Sequence, residues 1–277
     1  MIGNGLRRPG HVAVYVMSLA LLGACAIDGK LPPNDPRVLQ ANRAMAMFQE
    51  RCRTAGMKIS RTVSEVEGVV LMKLRPARNV DTLDAIDPYG SDLDGDGYIE
   101  TFVSGAYDRM RSSQPGSPRR FGYGKVEAVD PKDGIRYSYV GGIKEVEHVS
   151  SPLIGGSGRT FVTRDFVLSR TPVNASTLRY GVTYDDISTA EERAHWIAGS
   201  SLRVVDLQTN EVIAERIGYM VDPGQGITAG GRSPWLIAAD HACPSFHRFV
   251  TDEKSRGASL QPWQTFDFVE KVLTPKR

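Results

Sequence analysis

Residues 125–140, KVEAVDPKDGIRYSYV, limit the fold more than any other stretch of the chain. Asp130-Pro131-Lys132-Asp133-Gly134 gathers turn-forming aspartate, proline and glycine between two runs of β-favouring residues. Ile135, Tyr137 and Tyr139 then alternate along one side. Such a segment buries its apolar side most readily as an antiparallel hairpin at work in a larger sheet. The stretch LRYGVTYDD repeats the pattern. Leu178, Tyr180, Val182 and Tyr184 share one face, and Arg179, Gly181, Thr183 and Asp185 the other. A second hairpin is expected in SLRVVDLQTNEVIAERIGYM, turning at Gln208 to Asn210, with further strands in GVVLMKLRP and QTFDFVEKVL.

Helices are fewer. Asp35-Pro36 reads as an N-cap with proline in the first helical position. Val38, Ala41, Met45, Phe48 and Cys52 follow at helical spacing, and Gly56 is expected to end the helix. In STAEERAHW, Ser188 and Glu191 have the spacing of a capping box, and SPWLIAADH starts another short helix. Strands joined by short turns, with few helices, predict an α+β fold. It consists mainly of antiparallel β-sheet with an N-terminal amphipathic helix and two or more short helices.

The chain begins with Arg7 and Arg8, no acidic residue, and an apolar run from Val12 to Ala24. Thirteen apolar residues are too few for a membrane-spanning helix, which needs about 20, so the run reads as an export signal. The tetrapeptide Leu22-Gly23-Ala24-Cys25 resembles the lipobox of bacterial lipoproteins. The resemblance covers residues 1–25 and implies cleavage before Cys25, lipidation of that cysteine and a place in the cell envelope. With Ala26 rather than aspartate after the cysteine, analogy with lipoprotein sorting implies the outer membrane, periplasmic face. With Cys25 taken by lipid, Cys52 and Cys243 are the pair left, and an oxidising periplasm favours a disulfide between them. The expected organisation is a signal peptide over 1–24, a lipidated tether over 25–34, and one α+β domain over 35–277.

Removing Arg7 and Arg8 with the signal balances the 34 basic against the 32 acidic residues, so the mature chain is formally neutral. No nucleic-acid partner is expected on that charge. Export also takes nicotinamide cofactors and ATP off the list. The expected partners are the membrane, through the lipid anchor, and an envelope protein or polymer. Arg109, Arg111, Arg119, Arg120 and Lys125, interleaved with Phe121 and Tyr123, form a local basic segment that reads as a Pro/Gly/Ser-rich loop.

Two constellations resemble ligand sites. In SDLDGDGYIE, Asp92, Asp94 and Asp96 stand at positions 1, 3 and 5 of a calcium loop with Gly97 at its turn. Val103 occupies position 12, where a bidentate glutamate belongs, so the expectation is an acidic turn, with calcium as the one cofactor its ligands would suit. Asp240, His241, Cys243 and His247 lie within eight residues, yet their spacing fits no zinc pattern and the disulfide would consume Cys243. The glycine-rich GGSGRT and GQGITAGG read as loops, His148 and His195 stand alone, and Asp185-Asp186 point to opposite faces of a strand. No nucleophile elbow or metalloprotease motif is present in the sequence. The sequence therefore leaves two functions: a non-catalytic envelope lipoprotein that binds or assembles, or a lipid-anchored periplasmic hydrolase acting on an envelope substrate. The first is favoured.

Overall fold

The computed structural model describes residues 31–75, 89–90, 95–105, 122–150, 158–235, 237–245 and 261–276. Helix α1 (Pro36–Cys52) starts where Asp35 accepts a hydrogen bond from the Arg37 amide, with Pro36 in the first turn. It ends at Cys52, four residues before Gly56. Gly56, at φ 149°, instead opens strand β1 (Gly56–Ile59). Strands β2 (Val63–Val66) and β3 (Gly68–Leu71) follow, then helix α2 (Gly95–Ser104).

The anticipated hairpin is formed by β4 (Lys125–Val129) and β5 (Arg136–Val149). Asp130 organises its turn. Its backbone exchanges bonds with Ile135 and Gly134, its carboxylate accepts from the Lys132 amide, and Gly134 takes φ 73°. β5 runs on to pair with β6 (Thr160–Pro172), and β7 (Tyr180–Asp186), the short helix α3 (Ala190–Ala194), β8 (Ile197–Asp206) and β9 (Glu211–Val221) complete the main sheet. The order is β1-β9-β8-β7-β3-β4-β5-β6, with β10 (Ala242–Cys243) added to β9. At the C-terminus, helix α4 (Gln261–Val272) leads into β11 (Leu273–Pro275), which pairs with β2.

Further features differ from the expectation. The sheet is mostly antiparallel, yet β3 runs parallel to both of its neighbours, β4 and β7. A parallel pair needs a long crossover, and the β3–β4 connection carries α2. QTFDFVEKVL is helical, not a strand. Phe266 and Phe268 look like period-2 alternation, but the buried set also includes Thr265, Val269, Val272 and Leu273, which recur at three and four residues. The capping box of α3 sits one residue later than expected, on Thr189 and Glu192, and SPWLIAADH yields only a 3₁₀ turn over Ala238–His241.

The sheet is covered on both faces. One face carries Val69, Leu71, Val126, Ala128, Val182, Tyr184, Leu202 and Val204 beneath α2 and α4. Tyr98, Phe102, Tyr123 and Phe266 form an aromatic cluster there, with ring centroids 5.2–6.4 Å apart, and the Tyr123 hydroxyl donates to the Leu273 carbonyl at 2.6 Å. Burial pushes the Tyr123 phenol well above its ordinary range. On the other face, Ala44 and Phe48 of α1 pack on Ile197, Tyr219 and Val221. Cys52 and Cys243 are joined by a disulfide, with Cα atoms 5.5 Å apart, so β10 is tied to the end of α1 across 191 positions of sequence.

Candidate functional site

Tyr139 is the last residue of β5 to pair with β4; the partner of residues 140–149 is β6. Val103 of α2 and Phe166 still pack around Gly141, where an added Cβ would meet the Phe166 ring at 2.2 Å. Beyond Ile143 the two strands continue as a ribbon for about 20 Å. Its far end carries the two most exposed large apolar side chains of the described residues, Val149 at 66% and Val162 at 61%, beside the exposed ring of Phe161 at 48%.

Alternation explains the ribbon's order in the absence of a core. Glu145 faces Arg164 and Lys144 faces Asp165 across the pair, each an opposite-charge match. His148 lies across from Phe161, with stacked rings 5.5 Å apart, and its Nε2 meets the Asp165 carboxylate at 2.8 Å. The amide of Ser150 donates to the Arg159 carbonyl, and that of Val173 to the Arg136 carbonyl. Because bonded pairs alternate along an antiparallel ladder, the odd-numbered residues of β6 bond to β5 and the even-numbered ones turn their backbone groups outward. Thr160, Val162 and Arg164 therefore present N–H and C=O groups along an edge. Unpaired edges of this kind pair readily with other strands.

Three buried carboxylates, Asp206, Asp222 and Glu192, serve the architecture instead. Asp206, at the end of β8, accepts from Arg179, Arg61 and the Gln208 amide. The Arg179 guanidinium, followed by these other donors, holds its pKa down to about 2. Asp222 gathers the GQGITAGG loop beneath Trp196 and Trp235, accepting from the amides of Gly224, Gly226 and Trp235 and from Arg232. Burial resists ionisation of Asp222, but those donors outweigh it and lower its pKa. Glu192 caps α3 and pairs with Arg51 of α1.

The residues singled out in the sequence fall as follows. Cys25, Asp92, Asp94 and His247 lie outside the described residues, as do Arg109, Arg111, Arg119, Arg120 and Phe121. Asp96 is exposed in the first turn of α2, and Gly97 is helical. Cys52 and Cys243 are bonded to each other, and among the described residues no three His, Cys, Asp or Glu side chains converge as a metal site. Asp185 is engaged by Arg203 and Lys73, and Asp186 by Arg75. His195 is 2.9 Å through Nδ1 from the Glu191 carbonyl. No helix among the described residues is long and apolar enough to cross a membrane.

The ribbon is the feature that sequence reasoning missed. Its signal was available: RYSYVGGIKEVEHV and TFVTRDFVLSRTP are each longer than an ordinary strand, and both carry charges on both faces toward the loop between them. Strands that lie on a core average five or six residues. Comparison with known proteins gives no further lead: no family model, no curated protein and no solved structure matches the chain.

Proposed function

We propose that the chain is an outer-membrane lipoprotein, held by lipid on Cys25 at the periplasmic face, and that its folded part binds or assembles without catalysing a reaction. The β5–β6 ribbon is its contact element. The observation that carries this reading is the coincidence, at one projecting end, of exposed Val149, Phe161 and Val162 with a strand edge that no other strand of the described residues pairs. Apolar side chains grouped at such an edge are a feature of interaction surfaces. A binding role also suits the carboxylates that a hydrolase reading would have used, since Asp185 and Asp186 are both committed to cations.

The anchor is tested by Cys25→Ser, which should move the protein out of the membrane fraction or leave it as a precursor. The ribbon is tested by combining Phe161→Asp with Val162→Asp. Extracted from membranes in mild detergent, the natural protein should migrate as an assembly larger than one chain and the doubly substituted protein as a single chain. Both should melt at the same temperature, because neither side chain is buried. Equal migration of the two would contradict the ribbon's role.

A further inference from the structure

Building on the ribbon as contact element, we infer that its occupant is a second copy of this chain, joined edge to edge along residues 159–165 about a two-fold axis at Val162. An antiparallel strand can pair with itself about a two-fold axis that passes through a bonded pair, where one outward-facing residue meets its own symmetry mate. On β6 these residues are Thr160, Val162 and Arg164. An axis at Arg164 would set that cation against its own copy, which is destabilising. With the axis at Val162, Thr160 bonds to Arg164 of the other copy, Val162 to Val162, and Arg164 to Thr160. Each bonded pair exchanges two backbone hydrogen bonds.

The side chains agree with this register. On one face Val162 meets its own mate, with Val149 of each copy one row away; these are the two most exposed apolar residues described. On the opposite face Phe161 falls across from Thr163, flanked by Val146 and His148 of its own ribbon. Arg159 falls across from Asp165, an opposite-charge pair that the symmetry produces twice. No like charges oppose each other across the seam. Three bonded pairs make a small interface, below the size of stable soluble dimers. Confinement of both copies to a membrane through their anchors supplies the effective concentration such a contact needs.

The register makes a cysteine test decisive. The native cysteines do not interfere, since Cys52 and Cys243 are bonded and Cys25 is the lipid site of the proposed anchor. In Val162→Cys the two introduced residues would have Cα atoms about 5.5 Å apart, within disulfide reach. In Thr160→Cys or Arg164→Cys the like positions would lie about 14 Å apart, four residues along the strand. Under mild oxidation of full-length protein in its own membranes, Val162→Cys should give a disulfide-linked dimer. Thr160→Cys and Arg164→Cys should give none separately and a dimer when co-expressed.

Adding Arg164→Pro to Val162→Cys removes an outward amide and should abolish the dimer with no loss of melting temperature. Thr163→Pro removes an amide that faces β5, and should lower the melting temperature instead. Absence of the Val162→Cys dimer, or equal dimer from all three single variants, would overturn the inference. If the dimer is absent while the Phe161 and Val162 substitutions still reduce assembly size, the second copy is excluded and the ribbon's binding role stands. If neither effect appears, both fail.

Discussion

At the scale of single residues, two buried aspartates hold turns and loops in place. Asp206 and Asp222 are fully buried, and each is surrounded by donors that stabilise its charged form. Three non-glycine residues with positive φ gather around Asp222: Trp196 at 53°, Gln225 at 48° and Trp235 at 64°. Its bonds hold the surrounding loop in place against that backbone cost. Asp206 makes a pH prediction. Its folded pKa, about 2, lies below its value in an unfolded chain, so its contribution to stability is complete above about pH 4. That contribution is lost as pH falls toward 2. Asp206→Asn should therefore destabilise the protein near neutral pH, and melting curves of the two proteins should converge as the pH is lowered through that window. A difference that stays constant between pH 7 and pH 3 would assign the residue a role other than its charge.

At the scale of elements, local grammar was readable wherever the chain itself supplies the constraint. Asp35-Pro36 announces α1, the Asp130–Gly134 cluster announces the β4–β5 turn, and strict alternation announces β7. What could not be read depends on distant partners. Nothing local to Phe266 and Phe268 reveals that α2 and Tyr123 will wait on one side of them, so a buried helix looked like a strand. Parallel pairing of β3 with β4 and β7 is likewise a property of the crossover, not of the residues GVVL.

The ribbon escaped for the same reason, since its significance lies in what β5 and β6 outrun. The bond between Cys52 and Cys243 was legible because, once Cys25 is set aside for the expected lipid anchor, these two are the pair that is left. Closing so long a loop is worth at most about 5 kcal/mol in the chain-entropy model. Cys52→Ser and Cys243→Ser should each destabilise by a similar amount, and the double variant by little more than either, as read from denaturant unfolding. Additive losses would show that each cysteine contributes through packing rather than through the bond.

At the scale of the whole molecule, the stabilising parts are segregated from the ribbon proposed as the contact element. Helices α2 and α4 close one face of the sheet, α1 and the disulfide secure part of the other, and the buried ion pairs lie at turns and caps. The distal ribbon takes little part in that core, and among the described residues cross-strand pairs order it. Substitutions there should change assembly without changing stability. A photo-crosslinking residue at Phe161 compared with one at Lys132, in the exposed turn at the other end of β5, measures this directly in intact cells. The account predicts a discrete crosslinked product from Phe161 and none from Lys132; equal products from the two positions, or none from Phe161, would contradict it.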